Sequence, residues 1–171
     1  MGIAYSCDRE SDLALALWHG PVSPVEWRDQ VRSLVSEIGD RSPRRFLTDL
    51  RAAEDVSTIS DEHITEVAEL FARGVRGAKA KVALVASNLF ESAELFEREP
   101  ALSGVVTTIV FYDFGTACAW LGVDKDSVHR RTTELRREII ARGAGFSSEP
   151  SRPTSDSGSR GVSGTDNPDA P

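Results

Sequence analysis

Polar side chains suited to ligand binding or phosphorylation cluster in a short loop that follows a predicted buried strand at residues 45–50. In an open α/β sheet the binding surface lies outside the carboxyl ends of the strands, so such a loop is a natural place for a site. We therefore predict a binding edge along residues 52–60 and the adjoining helix starts at Ser23 and Asn88. Its candidate side chains are Asp49, Glu54, Asp55 and Ser60.

Two hydroxyl side chains in this loop, Ser57 and Thr58, are candidate phosphoacceptors. They lie just before a predicted helix, where a phosphate dianion would meet free backbone N–H groups and the positive end of the helix dipole. The alternative interpretation is that Ser60 caps this helix and that both hydroxyls are simply solvated.

Oxygen ligands for a divalent cation are also present in the loop, on Asp49, Glu54 and Asp55. Their spacing follows no ordered ligand pattern, and acidic residues in loops usually face solvent. We therefore predict no metal site. The chain contains no P-loop or other phosphate-binding glycine motif, so we also predict no cofactor.

Catalytic motifs are absent from the sequence. The histidines His19, His63 and His129 fall in different predicted elements, and Cys7 and Cys118 form neither a CxxC pair nor a metal spacing. We predict that the protein is not an enzyme. A hydrolytic alternative would require a nucleophile within hydrogen-bond reach of His63 or His19.

Hydrophobic periodicity predicts the element order β-β-α-β-α-β-α-β-α-α. A period of two marks the second strand, and Ser23 with Glu26 forms a capping box at the first helix. The order implies an α/β fold with a mixed five-stranded sheet, in which an antiparallel N-terminal hairpin forms one edge and the remaining strands are mostly parallel. The predicted strands are 3–7, 12–19, 45–50, 81–86 and 105–112. The predicted helices are 23–39, 60–77, 88–98, 114–121 and 124–142.

Composition and charge favour one globular domain followed by a tail. The chain has 171 residues, 40% of them hydrophobic, and a net charge of −7, which argues against a general nucleic-acid binder. No apolar run is long enough to span a bilayer and no signal peptide is apparent, so we expect a cytoplasmic protein. The predicted divisions are a domain at 1–122, an amphipathic helix at 123–146 and a Ser/Pro/Gly-rich tail at 147–171, expected to be disordered.

The C-terminal helix carries an apolar stripe at Val128, Leu135 and Ile139. Two interpretations stay open from the sequence: the stripe packs on the core of the domain, or it forms a homodimer contact.

Three segments resemble the SpoIIAA-like proteins, which adopt the STAS (sulphate transporter and anti-sigma-factor antagonist) fold. They are the hairpin with LWHGPVSPVEW at 17–27, FLTDLR at 46–51 and VFYDFGTACAWLG at 110–122. The resemblance covers about residues 3–122 and implies a non-catalytic regulatory domain. In the anti-sigma-factor antagonists a serine after the central strand is phosphorylated within Asp-Ser-Ser-Gly; here Val56 and Ser57-Thr-Ile-Ser60 stand at that place.

The preferred interpretation is therefore a binding module that engages an unidentified protein partner, tuned by phosphorylation at Ser57 or Thr58. The alternative is a carrier or sensor of a lipid or other small apolar molecule. It would use a pocket lined by Trp27 and Phe71, between the sheet and its helices.

Overall fold

Five strands form a single mixed sheet in the part of the chain that the structure, a computed structural model, describes: residues 2–39, 43–75, 79–87 and 89–145. The strands lie side by side in chain order, with β1 antiparallel to β2 and all other neighbours parallel. The predicted fold class and element order are confirmed. The strands are β1 (Gly2–Asp8), β2 (Leu13–Gly20), β3 (Arg45–Ala53), β4 (Ala80–Val85) and β5 (Val106–Phe111).

Helices cover both faces of the sheet. Each of the first three helices links two neighbouring parallel strands, and right-handed crossovers that advance in one direction put all three on the same face. We call this the first face; the last two helices cover the second face. The helices are α1 (Pro24–Ile38), α2 (Asp61–Gly74), α3 (Phe90–Glu97), α4 (Phe114–Leu121) and α5 (Lys125–Gly145), with a 3₁₀ turn at Pro100–Leu102.

The alternation of side chains along the strands divides the interior into two cores. In β2, Leu15 and Leu17 pack on the second face, whereas Ala14 and Trp18 pack on the first. Phe46 and Leu47 of β3 divide in the same way. The first face therefore combines large aromatic rings with small alanines, which bears on the site described below.

Strand β3 continues to Ala53, beyond the predicted end at residue 50. A register shift between Leu17 and His19 of β2 realigns the two strands, so that Ala52 pairs with His19 and Ala53 with Gly20. Two further hydrogen bonds join the segments beyond this pairing: the Glu54 N–H donates to the Gly20 carbonyl at 3.1 Å, and the Val22 N–H donates to the Asp55 carbonyl at 3.2 Å. The loop is consequently attached to the end of β2 by its backbone.

Helix α5 is part of the domain core. Its stripe of Val128, Leu135 and Ile139 is buried against the second face, where α5 packs on β1 and β2. Of the two interpretations left open by the sequence, the stripe therefore packs on the core; the division at residue 122 stays a prediction. Because the stripe is buried within the domain, it is not exposed for a homodimer contact. The predicted tail, 147–171, lies outside the described residues.

The start of α1 allows a test of the predicted capping box. Glu26 Oε2 accepts the Ser23 N–H at 2.9 Å, and Ser23 Oγ accepts the Glu26 N–H at 3.3 Å. Ser23→Ala should lower the free energy of unfolding by about 1 kcal/mol, because a free helical N–H loses its acceptor. Ser33→Ala is the matched control within α1, and should be neutral or slightly stabilising because alanine is the better helix former. Equal urea midpoints for the two variants would contradict the cap.

Packing of α5 is testable at Leu135, whose side chain is fully buried. Leu135→Ala should cost about 2–5 kcal/mol, the usual range for a large-to-small change in a core. Ile140→Ala, on the exposed side of α5, should change the unfolding free energy by less than about 0.5 kcal/mol. Urea denaturation checks both values. A loss at Leu135 as small as that at Ile140 would show that α5 does not pack on the sheet.

Candidate functional site

The loop between β3 and α2 lies at the carboxyl edge of the sheet and exposes most of its polar side chains. Glu54, Asp55, Ser57, Thr58 and Ser60 are all exposed. The predicted binding edge therefore has these side chains at the surface. Asn88, the predicted neighbouring helix start, lies outside the described residues.

Asp55 and Ser57 form a local turn within this loop. The Ser57 N–H donates to Asp55 Oδ1 at 2.8 Å, and this hydrogen bond holds the pKa of the Asp55 carboxyl below its ordinary value. The carboxylate is consequently anionic beside the Ser57 hydroxyl. A phosphate on Ser57 would face this like charge, so the local electrostatics do not favour Ser57 as an anion site. Phosphorylation at Ser57 or Thr58 stays a prediction.

Ser60 and His63 contact each other at the start of α2. His63 Nδ1 accepts the Ser60 N–H at 3.1 Å and lies 2.9 Å from Ser60 Oγ. This places a hydroxyl within hydrogen-bond reach of a histidine, the geometry that a hydrolytic enzyme would require. The pair is explained by helix capping, however, because His63 occupies the third helical position and accepts the N-cap amide. Among the described residues, no carboxylate orients the other ring nitrogen as a catalytic triad requires.

Asp49 does not lie on the predicted binding edge. It is fully buried, and its carboxylate accepts three hydrogen bonds from Arg51: from Nε at 2.9 Å, from Nη2 at 2.8 Å and from the backbone N–H at 3.2 Å. The guanidinium lies over the ring of Phe114, 4.8 Å from its centroid. Hydrogen bonding to Asp49 raises the pKa of Arg51 above its ordinary value. This pair fixes the end of β3 to the start of α4 on the second face.

Neither cysteine is an activated nucleophile. Burial raises the pKa of Cys7 to about 11 and that of Cys118 to about 11, so both thiols stay protonated at neutral pH. Within the described ranges, no group of three or more His, Cys, Asp or Glu side chains is placed to hold a metal ion. Asp49 is separated by burial from Glu54 and Asp55, so these three do not form a cation site.

An apolar cavity lies on the first face, between the sheet and the helices. Its volume is about 90 Å³. Trp27 and Phe71, the two predicted pocket residues, both line it. The remaining lining comes from β2, β3, β4, α1, α2, α3 and the loop, and consists of Ala14, Leu15, Ala16, Trp18, Gln30, Val31, Leu34, Phe46, Leu47, Thr48, Leu50, Val56, Ile59, Ile64, Val82, Leu84, Leu89, Ser92, Ala93 and Phe96.

Aromatic rings form one wall of the cavity. The ring of Trp27 lies 5.4 Å from that of Trp18 and 5.8 Å from that of Phe96, both measured between centroids. Phe46 and Phe71 form a second edge-to-face pair at 5.0 Å. These separations are typical of favourable aromatic contacts, so the wall is held by the rings themselves.

The loop contributes to the cavity through two side chains that the sequence interpretation missed. Val56 and Ile59 line the cavity and are half-buried, whereas their neighbours Asp55, Ser57 and Thr58 are exposed. Isolated aliphatic residues in an otherwise polar loop were the available signal. The loop therefore has an apolar inner side on the cavity and a polar outer side in solvent.

A second depression runs along β1 between α1 and the end of α5. It is larger, about 870 Å³, but it is a broad, open groove bordered by charged side chains such as Glu26, Asp29, Glu37 and Arg142. A small molecule would keep most of its surface in water there, so the less open, mainly apolar cavity of the first face is the better candidate site. No described helix combines the length and the apolar character that crossing a bilayer requires.

Loss of either member of the Asp49–Arg51 pair should lower stability, but by unequal amounts. Arg51→Met leaves a buried carboxylate without its partner and should cost about 3 kcal/mol, whereas Asp49→Asn leaves an arginine that is 36% exposed to water and should cost only about 1 kcal/mol. Urea denaturation at pH 7 measures both. Equal costs for the two variants would contradict this role.

No protein-family profile matches this sequence, and no curated protein matches it. Among solved structures, the chain is similar to a protein of Shewanella loihica PV-4 described as an uncharacterized member of the DUF3478 family with a SpoIIAA-like fold. The sequence identity is 16%, the alignment covers 70% of this chain and 94% of the other, and the TM-score is 0.49. The fold described for that protein is the SpoIIAA-like fold. This is the fold that the sequence resemblance of residues 3–122 implies.

Proposed function

We propose that this protein is a non-enzymatic binding module that holds a small apolar molecule in the cavity of its first face. The observation that carries this proposal is the cavity itself, about 90 Å³ in volume and lined almost entirely by apolar side chains. Protein interiors are otherwise close-packed, with few voids larger than a water molecule. A void of this size at roughly 24 cal/mol per Å³ costs about 2 kcal/mol of stability. A ligand that fills it would recover this loss.

The volume restricts the size of the ligand. At about 90 Å³, the cavity is of the same order as the roughly 150 Å³ apolar cavity that holds a benzene molecule. A lipid chain is larger than this, and typical sites for drug-sized ligands are about 300–1,000 Å³. The lipid version of the carrier hypothesis is therefore not favoured, and a compact apolar molecule is.

The chemistry of the lining supports binding rather than catalysis. None of the described residues that line the cavity carries a titratable acid, base or thiol. General acid–base or nucleophilic catalysis requires such groups within reach of the substrate. A ligand in this cavity would therefore be held and released unchanged.

Engagement of a protein partner is the second candidate function, and the loop favours it. Val56 and Ile59 contact the cavity while Asp55, Ser57 and Thr58 face solvent. A partner that binds the outer side of the loop would respond to whether the cavity is filled. Regulation by a protein partner and binding of an apolar ligand are then two parts of one sensor. Of the two proposed phosphoacceptors, Thr58 is favoured over Ser57, which lies beside the Asp55 carboxylate.

Two buried alanines, each replaced by leucine, form a matched test of the cavity. Ala93 of α3 and Ala117 of α4 are both buried, but only Ala93 lines the cavity. Ala93→Leu should leave the free energy of unfolding unchanged or raise it by up to about 2 kcal/mol, because the added atoms fill empty space, and its thermal midpoint should not fall. Ala117→Leu should cost about 1–3 kcal/mol through overpacking. Toluene should raise the thermal midpoint of the wild type and of Ala117→Leu, but not that of Ala93→Leu.

The same thermal melting curves also test for the outcome that contradicts the cavity proposal. Equal destabilisation by the two leucines, with no effect of toluene on the wild type, would show that the first face is packed as tightly as the second. The proposal would then be wrong.

A further inference from the structure

Gln30 is a polar residue in the wall of a mainly apolar cavity. It lies on α1, one turn after Trp27, and shares the described lining with two other polar residues, Thr48 and Ser92. The same residue also borders the open groove along β1. Its amide nitrogen Nε2 is buried, and it has no hydrogen-bond partner among the described residues.

A buried amide donor without an acceptor is unfavourable, because the group has lost its hydrogen bonds to water and gained none in exchange. Leucine or methionine would fill a similar volume without this loss. The terminal torsion of a glutamine side chain is broad, so the amide is able to turn toward an acceptor placed in the cavity. The unpartnered donor thus belongs to a residue that lines the cavity, and an acceptor bound there would satisfy it.

We infer that Gln30 is the polar anchor of the site, and that the ligand is a neutral, flat molecule with one hydrogen-bond acceptor, such as a ketone, ester, ether or quinone oxygen. This inference rests on the proposed function. Neutrality follows from the lining, in which no described residue carries a charged side chain to pair with a carboxylate or an amine. A flat aromatic ligand matches the rings of Trp18, Trp27 and Phe96, which offer both faces and edges for contact because neighbouring ring planes are inclined by 68° and 53°.

Two probes of nearly the same shape separate the anchor from the cavity. Acetophenone carries a carbonyl oxygen where α-methylstyrene carries a CH₂ group, and both are neutral and flat. Dissociation constants for both are measured by tryptophan fluorescence on the wild type and on Gln30→Met, which keeps the length of the side chain and removes the donor. Gln30→Met should weaken acetophenone binding about tenfold, the usual effect of losing one neutral hydrogen bond. It should leave α-methylstyrene binding unchanged or slightly tighter.

The ratio of the two dissociation constants is compared between the wild type and Gln30→Met. The different solubilities of the two probes in water cancel in this comparison. Ser92→Ala is the matched control, since it also removes a polar group from the lining, and it should leave the ratio of the two affinities unchanged. Far-ultraviolet circular dichroism establishes that each variant is folded.

The outcomes distinguish the anchor from the site. If both probes bind the wild type and Gln30→Met changes the two affinities equally, the anchor role is wrong while the cavity proposal stands. If Ser92→Ala, rather than Gln30→Met, lowers the affinity for acetophenone selectively, the acceptor is recognised elsewhere and the role of Gln30 is again wrong. If neither probe binds the wild type, the proposed function itself fails.

Discussion

The contact of Trp27 with two other rings is the interaction on which the first face depends. Trp27 of α1 packs against Trp18 of β2 and also against Phe96 of α3, so a single side chain connects the sheet and two helices. The cavity is also lined by Ala14 and Ala16 of β2 and by Ala93 of α3, whose side chains are short. The cavity thus lies where large rings and short side chains adjoin, and any ligand must fit the space between them.

The second face solves the same packing problem differently. There, Leu15, Leu17 and Leu47 of the sheet meet Leu135 of α5, and all are almost completely buried. The Asp49–Arg51 pair closes this face at the carboxyl edge through its contact with Phe114. The second face therefore buries large aliphatic side chains against each other, whereas the first face contains the cavity.

The sequence predicted the elements well because their signals are local. The capping box at Ser23 and the alternation in β2 each depend on residues close together in the chain. Asp49 shows the limit of this reasoning: its acidic side chain favoured an exposed position, although alternation already placed it on the same face as the buried Leu47. Trp27 and Phe71 were predicted for the pocket, but Gln30, Val56 and Ile59 were missed. A void depends on how distant segments meet, which no local pattern records.

The loop joins the two proposed roles through a shared energetic constraint. Ile59 and Val56 lie against the cavity, and the Ile59 N–H donates to the Val56 carbonyl at 2.8 Å, so the two residues belong to one turn. A ligand that binds one arrangement of this turn more tightly would also favour the arrangement of Asp55, Ser57 and Thr58 that belongs to it. Such coupling is reciprocal: a partner or a phosphate that prefers one arrangement must change ligand affinity by the same factor. The inner and outer sides of the loop would therefore act as one switch, whose strength is set by how differently the two arrangements fill the cavity.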